Sequence, residues 1–102
     1  MNYSFLLEAE IKYLQAVGFF EERQPGLGAA RITEFESVMD LVTKKPRASK
    51  TVHPGGIRRI GLKKFPFSVF YRVLPDETPQ ITAFAHHRRA PGYWLGRVRQ
   101  VP

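Results

Sequence analysis

The sequence predicts an α+β domain of order β-α-α-β-β-β, with a helical hairpin packed on one face of a small antiparallel sheet. Three observations predict it. Apolar residues recur at helical spacing through the first 44 positions, the period changes to two from Ile57 onward, and a connection rich in Pro and Gly separates the two regimes.

The short run Asn2–Leu6 is a candidate first strand. From Leu7 to Arg23, the apolar residues Leu7, Ile11, Leu14 and Val17 share a helical face, with Glu8, Glu10, Lys12 and Gln15 between them. Gln24-Pro25-Gly26-Leu27-Gly28 breaks that helix. A second helical pattern runs from Ala29 to Lys44, with Ile32, Phe35, Val38 or Met39, and Val42 on one side. Lys44 and Lys45 complement a helix C-terminus and Pro46 stops it. The polar stretch Arg47–Gly56 reads as a connection. Ile57–Lys64, Phe67–Leu74 and Gln80–Arg88 read as strands joined by short turns, which favours an antiparallel meander. The segment Ala90–Pro102 begins with Pro91-Gly92 and carries Tyr93, Trp94 and Leu95, which suits a short C-terminal helix or turn. Residues 1–102 form one domain, without repeat or linker.

Composition narrows the function classes. The chain has no cysteine, which excludes a disulfide framework and any thiolate metal site. The longest apolar run, Ala16–Phe20, is far below the roughly 18 residues of a membrane span. Met1–Glu8 has no basic flank of the signal-peptide kind, so the expected location is cytoplasmic, with no membrane partner. The formal charge is +7 and unevenly divided. Residues 1–43 hold three basic against seven acidic side chains, a net −4; residues 44–102 hold thirteen against two, a net +11. A basic half of this strength suits an anionic partner, the alternative being a solvated surface kept for solubility.

Strand alternation sorts the basic residues by face. Phe67, Val69, Tyr71 and Val73 share the face that meets the helices, with Ile60, Leu62, Ile81, Ala83 and Ala85. The other face then collects Arg59, Lys63, Arg72, His86 and Arg88, interleaved with Phe70 and Phe84. Cations beside aromatic rings on a sheet suit a phosphate backbone and stacked bases; equally, the rings can pack under the C-terminal segment while the arginines form ion pairs. His86 and His87 are candidates for proton transfer, the arginines for charge stabilisation, and Tyr93 for positioning. The sequence gives no reason to expect a metal or other cofactor. Pro54-Gly55-Gly56 lacks the Lys-Ser/Thr of a phosphate loop.

Four stretches in register resemble the RelE/ParE toxin superfamily. They are Phe19-Phe20-Glu21-Glu22-Arg23-Gln24-Pro25-Gly26-Leu27-Gly28, Ile57-Arg58-Arg59, Phe65-Pro66-Phe67-Ser68-Val69-Phe70-Tyr71-Arg72-Val73 and His86-His87-Arg88-Arg89-Ala90-Pro91-Gly92-Tyr93-Trp94. The resemblance implies the toxin of a type II toxin–antitoxin module, of the kind often described as a plasmid stabilisation protein. Its free form arrests growth, and a cognate antitoxin silences it in a hetero-oligomer. The target it implies is translated mRNA on the ribosome for RelE-like members, or DNA gyrase for ParE-like ones. The RelE-like catalytic lysines fall on Arg59 and Gly61, one arginine on Ser68, another on Arg88, and the tyrosine on or beside Trp94, with Tyr93 adjacent. Two of the five positions therefore carry no equivalent, at Gly61 and Ser68, and Lys63, Arg72 and His86 are the candidates to compensate. The losses, with Arg88, Arg89, Arg97 and Arg99, fit the gyrase target as well. A non-enzymatic nucleic-acid- or protein-binding module on the same scaffold is the alternative.

Overall fold

The computed structural model describes residues 2–87. The elements are β1 (Ser4–Phe5), α1 (Leu7–Arg23), α2 (Leu27–Lys44), β2 (Thr51–His53), β3 (Ile57–Gly61), β4 (Phe67–Val73) and β5 (Pro79–His86). They form one five-stranded sheet of order β1-β5-β4-β3-β2. The expected helical hairpin on one sheet face is present, and the sheet is mixed: β1 runs parallel to β5, while β2 to β5 are antiparallel. β1 is the short edge that the chain leaves before turning into α1, where the Leu6 N–H donates to the Ile81 carbonyl at 2.8 Å.

Two details depart from the sequence reading in the helices. α2 starts at Leu27 rather than Ala29, because Gly26 takes a left-handed turn (φ 90°) that sends the chain straight into the next helix. The Glu21 carboxylate, reaching over from α1, accepts from the N–H groups of Gly26 and Gly28 at 2.9 Å each and serves as the missing N-terminal cap. The buried face of α1 also differs. Leu7, Ile11 and Leu14 are 66%, 44% and 57% exposed, and the helix buries Ala9, Tyr13 and Ala16 instead. Both sets have helical spacing. The second wins because Ala9 and Ala16 permit close approach, while Tyr13 and Phe20 place large rings in the core. α2 buries Phe35, Met39 and Val42, as its spacing predicts.

The core lies between this hairpin and the sheet. Tyr13 packs on Phe35 with centroids 4.3 Å apart and edge-on to Phe84 at 5.3 Å; Phe84 in turn stacks on Phe67 at 4.6 Å. Burial raises the Tyr13 pKa to about 12, helped by Tyr3 and Glu36. A raised folded-state pKa contributes stability that is complete below the unfolded value of 10.0 and is lost as pH climbs toward 12. Alkaline unfolding followed by circular dichroism should therefore shift to higher pH in Tyr13→Phe, with neutral-pH stability changed little.

The turn between β3 and β4 is tied to α2. The backbone N–H groups of Lys63, Lys64 and Phe65 donate to the Glu34 carboxylate at 2.8, 2.9 and 2.8 Å. Partial burial pushes the Glu34 pKa up, but the donors of Lys64, Phe65 and Lys63, with Arg31 alongside, outweigh it and leave the carboxyl below its ordinary value. The strand expected to reach Lys64 accordingly ends at Gly61.

β2 lies inside the stretch read as a connection. It has two exposed residues, no apolar alternation, and an edge position, so it leaves little hydrophobic signal. The other correction is a β-bulge. Phe70 pairs with Ala83 but Tyr71 pairs with Ile81, so Thr82 is an extra residue in β5, and its hydroxyl donates to the Phe70 carbonyl at 3.2 Å. One added residue reverses the faces beyond it. Phe84 and His86 therefore lie opposite Val69 and Phe67, on the helix side, rather than beside Arg59 and Arg72.

Candidate nucleic-acid interface

The sheet face away from the helices is built in rows by the strand register. Gly61, Ser68 and Ala85 form one row; Arg59, Phe70 and Ala83 form the next; Arg72 and Gln80 lie beyond. Ser68, Ala83, Ala85 and Ile57 are buried, so the floor is small and apolar with cations around it. Arg59 is exposed, and its guanidinium folds along the strand to lie over Gly61, Nη2 sitting 3.4 Å from where a Cβ would be. Arg72 is half-buried and held by its Nε, which donates to Gln80 at 2.8 Å.

The six sequence-predicted site residues separate as follows. Arg59 and Arg72 share this face. Lys63 is in the turn pinned by Glu34, exposed and off the strand. His86 is on the helix side, its ring edge-on to Phe67 at 5.1 Å and 6.5 Å from that of His87. Arg88 and Tyr93, with the C-terminal helix or turn, Trp94 and the remaining arginines, lie outside the described residues.

One residue that sequence reasoning passed over belongs here. β2 pairs His53 with Ile57, and the imidazole lies 6.1 Å from the Phe70 ring, one strand from Arg59. Its signal in the sequence was faint: a single histidine in a polar stretch, recognisable only once β2 is seen to pair with β3. An imidazole, a guanidinium and an aromatic ring on one face can transfer a proton, stabilise a phosphate and stack a base. Among the described residues no three His, Asp or Glu side chains gather as metal ligands, and no helix is long and apolar enough to cross a membrane.

No family model matches the chain, and no curated protein matches it in sequence. Among solved structures it is similar to the isolated E. coli RelE toxin in its P21 crystal form. The TM-score is 0.62 and the identity 16%, over 99% of this chain and 100% of that one. The element order, the hairpin on one sheet face and this end-to-end match establish that the chain has a RelE-type toxin fold.

Proposed function

We propose that this chain is the toxin of a type II toxin–antitoxin module, cutting translated mRNA in the cytoplasm until a cognate antitoxin covers it. The observation that carries the reading is the exposed Arg59, its guanidinium over Gly61, beside His53 and Phe70 on the face of a RelE-type sheet away from the helices. His53 takes the proton of an RNA 2′-OH, and that oxygen attacks the adjacent phosphorus. The 5′-oxygen leaves with a proton from water, giving a 2′,3′-cyclic phosphate and a 5′-OH. Arg59 and Arg72 meet the charge that builds on the phosphate oxygens. Arg88 and Tyr93 are the further catalytic candidates that the family resemblance implies, and Lys63 is a candidate to compensate for the positions lost at Gly61 and Ser68. His86 faces the helices, its ring edge-on to Phe67, so His53 rather than His86 is assigned the proton transfer.

The antitoxin reading draws on two surfaces. An acidic segment complements the half of the chain with net charge +11, and the exposed ridge of Leu7, Ile11 and Leu14 offers apolar contact on α1. Ile11→Ser should weaken the toxin–antitoxin complex at least tenfold by calorimetry, while the melting temperature of the free chain changes little, since the side chain is already exposed.

A second reading, binding of DNA gyrase, is favoured by Gly61 and Ser68 standing where RelE-like members have cations. Growth is the first test. Induction without a partner should arrest cells, and co-expression of the gene product encoded beside it should restore them. Normal growth on induction, with no binding to that product, refutes both targets and leaves the non-enzymatic binding module.

A further inference from the structure

β2 is a three-residue edge strand with an irregular register, and His53 owes its face to that irregularity. Thr51 lies opposite Arg58 and His53 lies opposite Ile57, so Thr51 and Val52 together span a single residue of β3. A regular ladder running on from Thr51 would set Val52 opposite Ile57 and turn His53 to the helix side. The bulge therefore brings the imidazole to Ile57, on the face that carries Arg59 and Phe70. The strand supplies little to hold itself there. Thr51 and Val52 are exposed, and β2 pairs with β3 alone. Its placement depends on what fixes the chain just before it.

Arg58 fixes it. Its side chain lies on the helix side, opposite Tyr71 in the register, and its Nη1 donates to the carbonyls of Arg47 and Ser49 at 3.0 and 2.5 Å. The Tyr71 hydroxyl and the Glu77 carboxylate tie the same connection nearer α2, at Pro46 and Arg47. Arg58 reaches on to Ser49, two residues before β2, and its own backbone lies against the bulge. Hydrogen bonds from a guanidinium are roughly twice as strong as neutral ones, which suits them to hold a strand with few contacts of its own. Neighbouring strand residues face opposite ways, so Arg58 is turned away from the side that Arg59 presents to RNA. It reaches the reaction only through the backbone it holds. We infer that Arg58 is a positioning residue for His53: by fixing the chain at Ser49, it sets the bulge that aims the imidazole at the Arg59 face. The inference deepens the ribonuclease reading and rests on it for the effect on rate, whereas the placement of His53 is measurable without RNA.

The test joins a double-mutant cycle to NMR of the full chain. Cleavage of a translated message is followed for the parent, Arg58→Met, His53→Ala and the double variant. Arg58→Met should lower kcat about tenfold or more and move KM by less than about threefold, since the substrate contacts stay while the proton acceptor is misaimed. In the His53→Ala background the same exchange should cost less than about twofold, because Arg58 then has no imidazole to aim. Arg58→Lys keeps a charged donor near the two carbonyls and should recover part of the rate. In nuclear Overhauser spectra, the contact between the His53 and Phe70 rings should be lost in Arg58→Met and kept in Arg58→Lys. Where Arg58→Met does not fold, Arg58→Gln, shorter and uncharged, goes through the same measurements. An equal loss of rate in both backgrounds makes Arg58 a general support of the fold and overturns the inference, as does a ring contact that survives Arg58→Met. A parent that cleaves nothing refutes the ribonuclease reading, and the ring contact then still decides whether Arg58 places His53.

Discussion

Glu34→Ala will lower the melting temperature by about 10–20 °C, more than any other exchange of a charged side chain discussed above. The variant strips three backbone N–H groups, those of Lys63, Lys64 and Phe65, of their shared acceptor. Losing charge-assisted hydrogen bonds of this kind costs about 2–3 kcal/mol in total, and each kcal/mol moves a domain of this size by about 4–8 °C. The acid dependence supplies a second signature. Because the folded-state pKa of Glu34 is lowered, its contribution is full above the unfolded pKa and is lost as pH falls through the folded one. The stability gap between the parent and Glu34→Gln should therefore be wide at pH 7 and narrow in acid, as read by urea unfolding at both values. The effect reaches the candidate interface, since the same turn sets the ends of β3 and β4 on which Gly61 and Ser68 sit.

Arg59→Ala will reduce RNA cleavage by about a hundred- to a thousandfold, the usual cost of removing a preorganised group that meets transition-state charge. His53→Ala will reduce it by about a hundredfold or more as the proton acceptor is lost. Neither side chain belongs to the helix-side core, so circular dichroism and melting temperature should stay near those of the parent. Gly61→Lys sharpens the assignment. The atoms nearest to a Cβ there belong to the flexible Arg59 guanidinium, so the substitution fits and adds a second cation over Ser68. Cleavage should rise rather than fall.

The hairpin, the strand order after it, and the inward faces of α2 and β4 were legible in the sequence because each rests on strong periodicity. Phe35, Met39 and Val42 on α2, and Phe67, Val69, Tyr71 and Val73 on β4, stand where spacing puts them. α1 was misread because it carries two apolar sets. Leucine and isoleucine mark one, but the short alanines Ala9 and Ala16 with Tyr13 make the buried one, a matter of shape rather than hydropathy. The site was less legible for a different reason. Arg59 and Arg72 follow from alternation alone, whereas His86 and Phe84 are displaced by one bulge residue, Thr82, that no alternation rule foresees. His53 depends on an edge strand with almost no apolar residues. Glu21 and Glu34, two of the seven acidic side chains of residues 1–43, cap backbone N–H groups, a use that a charge count does not reveal.

The central claim is that a RelE-type fold presents Arg59 and His53 to RNA. The measurement that tests it most directly maps transcript 5′ ends after induction of the parent, Arg59→Ala and His53→Ala, with gyrase–DNA complexes assayed in the same cells. The account predicts new 5′-OH ends within translated messages for the parent, their loss in both variants, and no trapped gyrase. Intact transcripts with trapped gyrase, or cleavage unaffected by both substitutions, would contradict it.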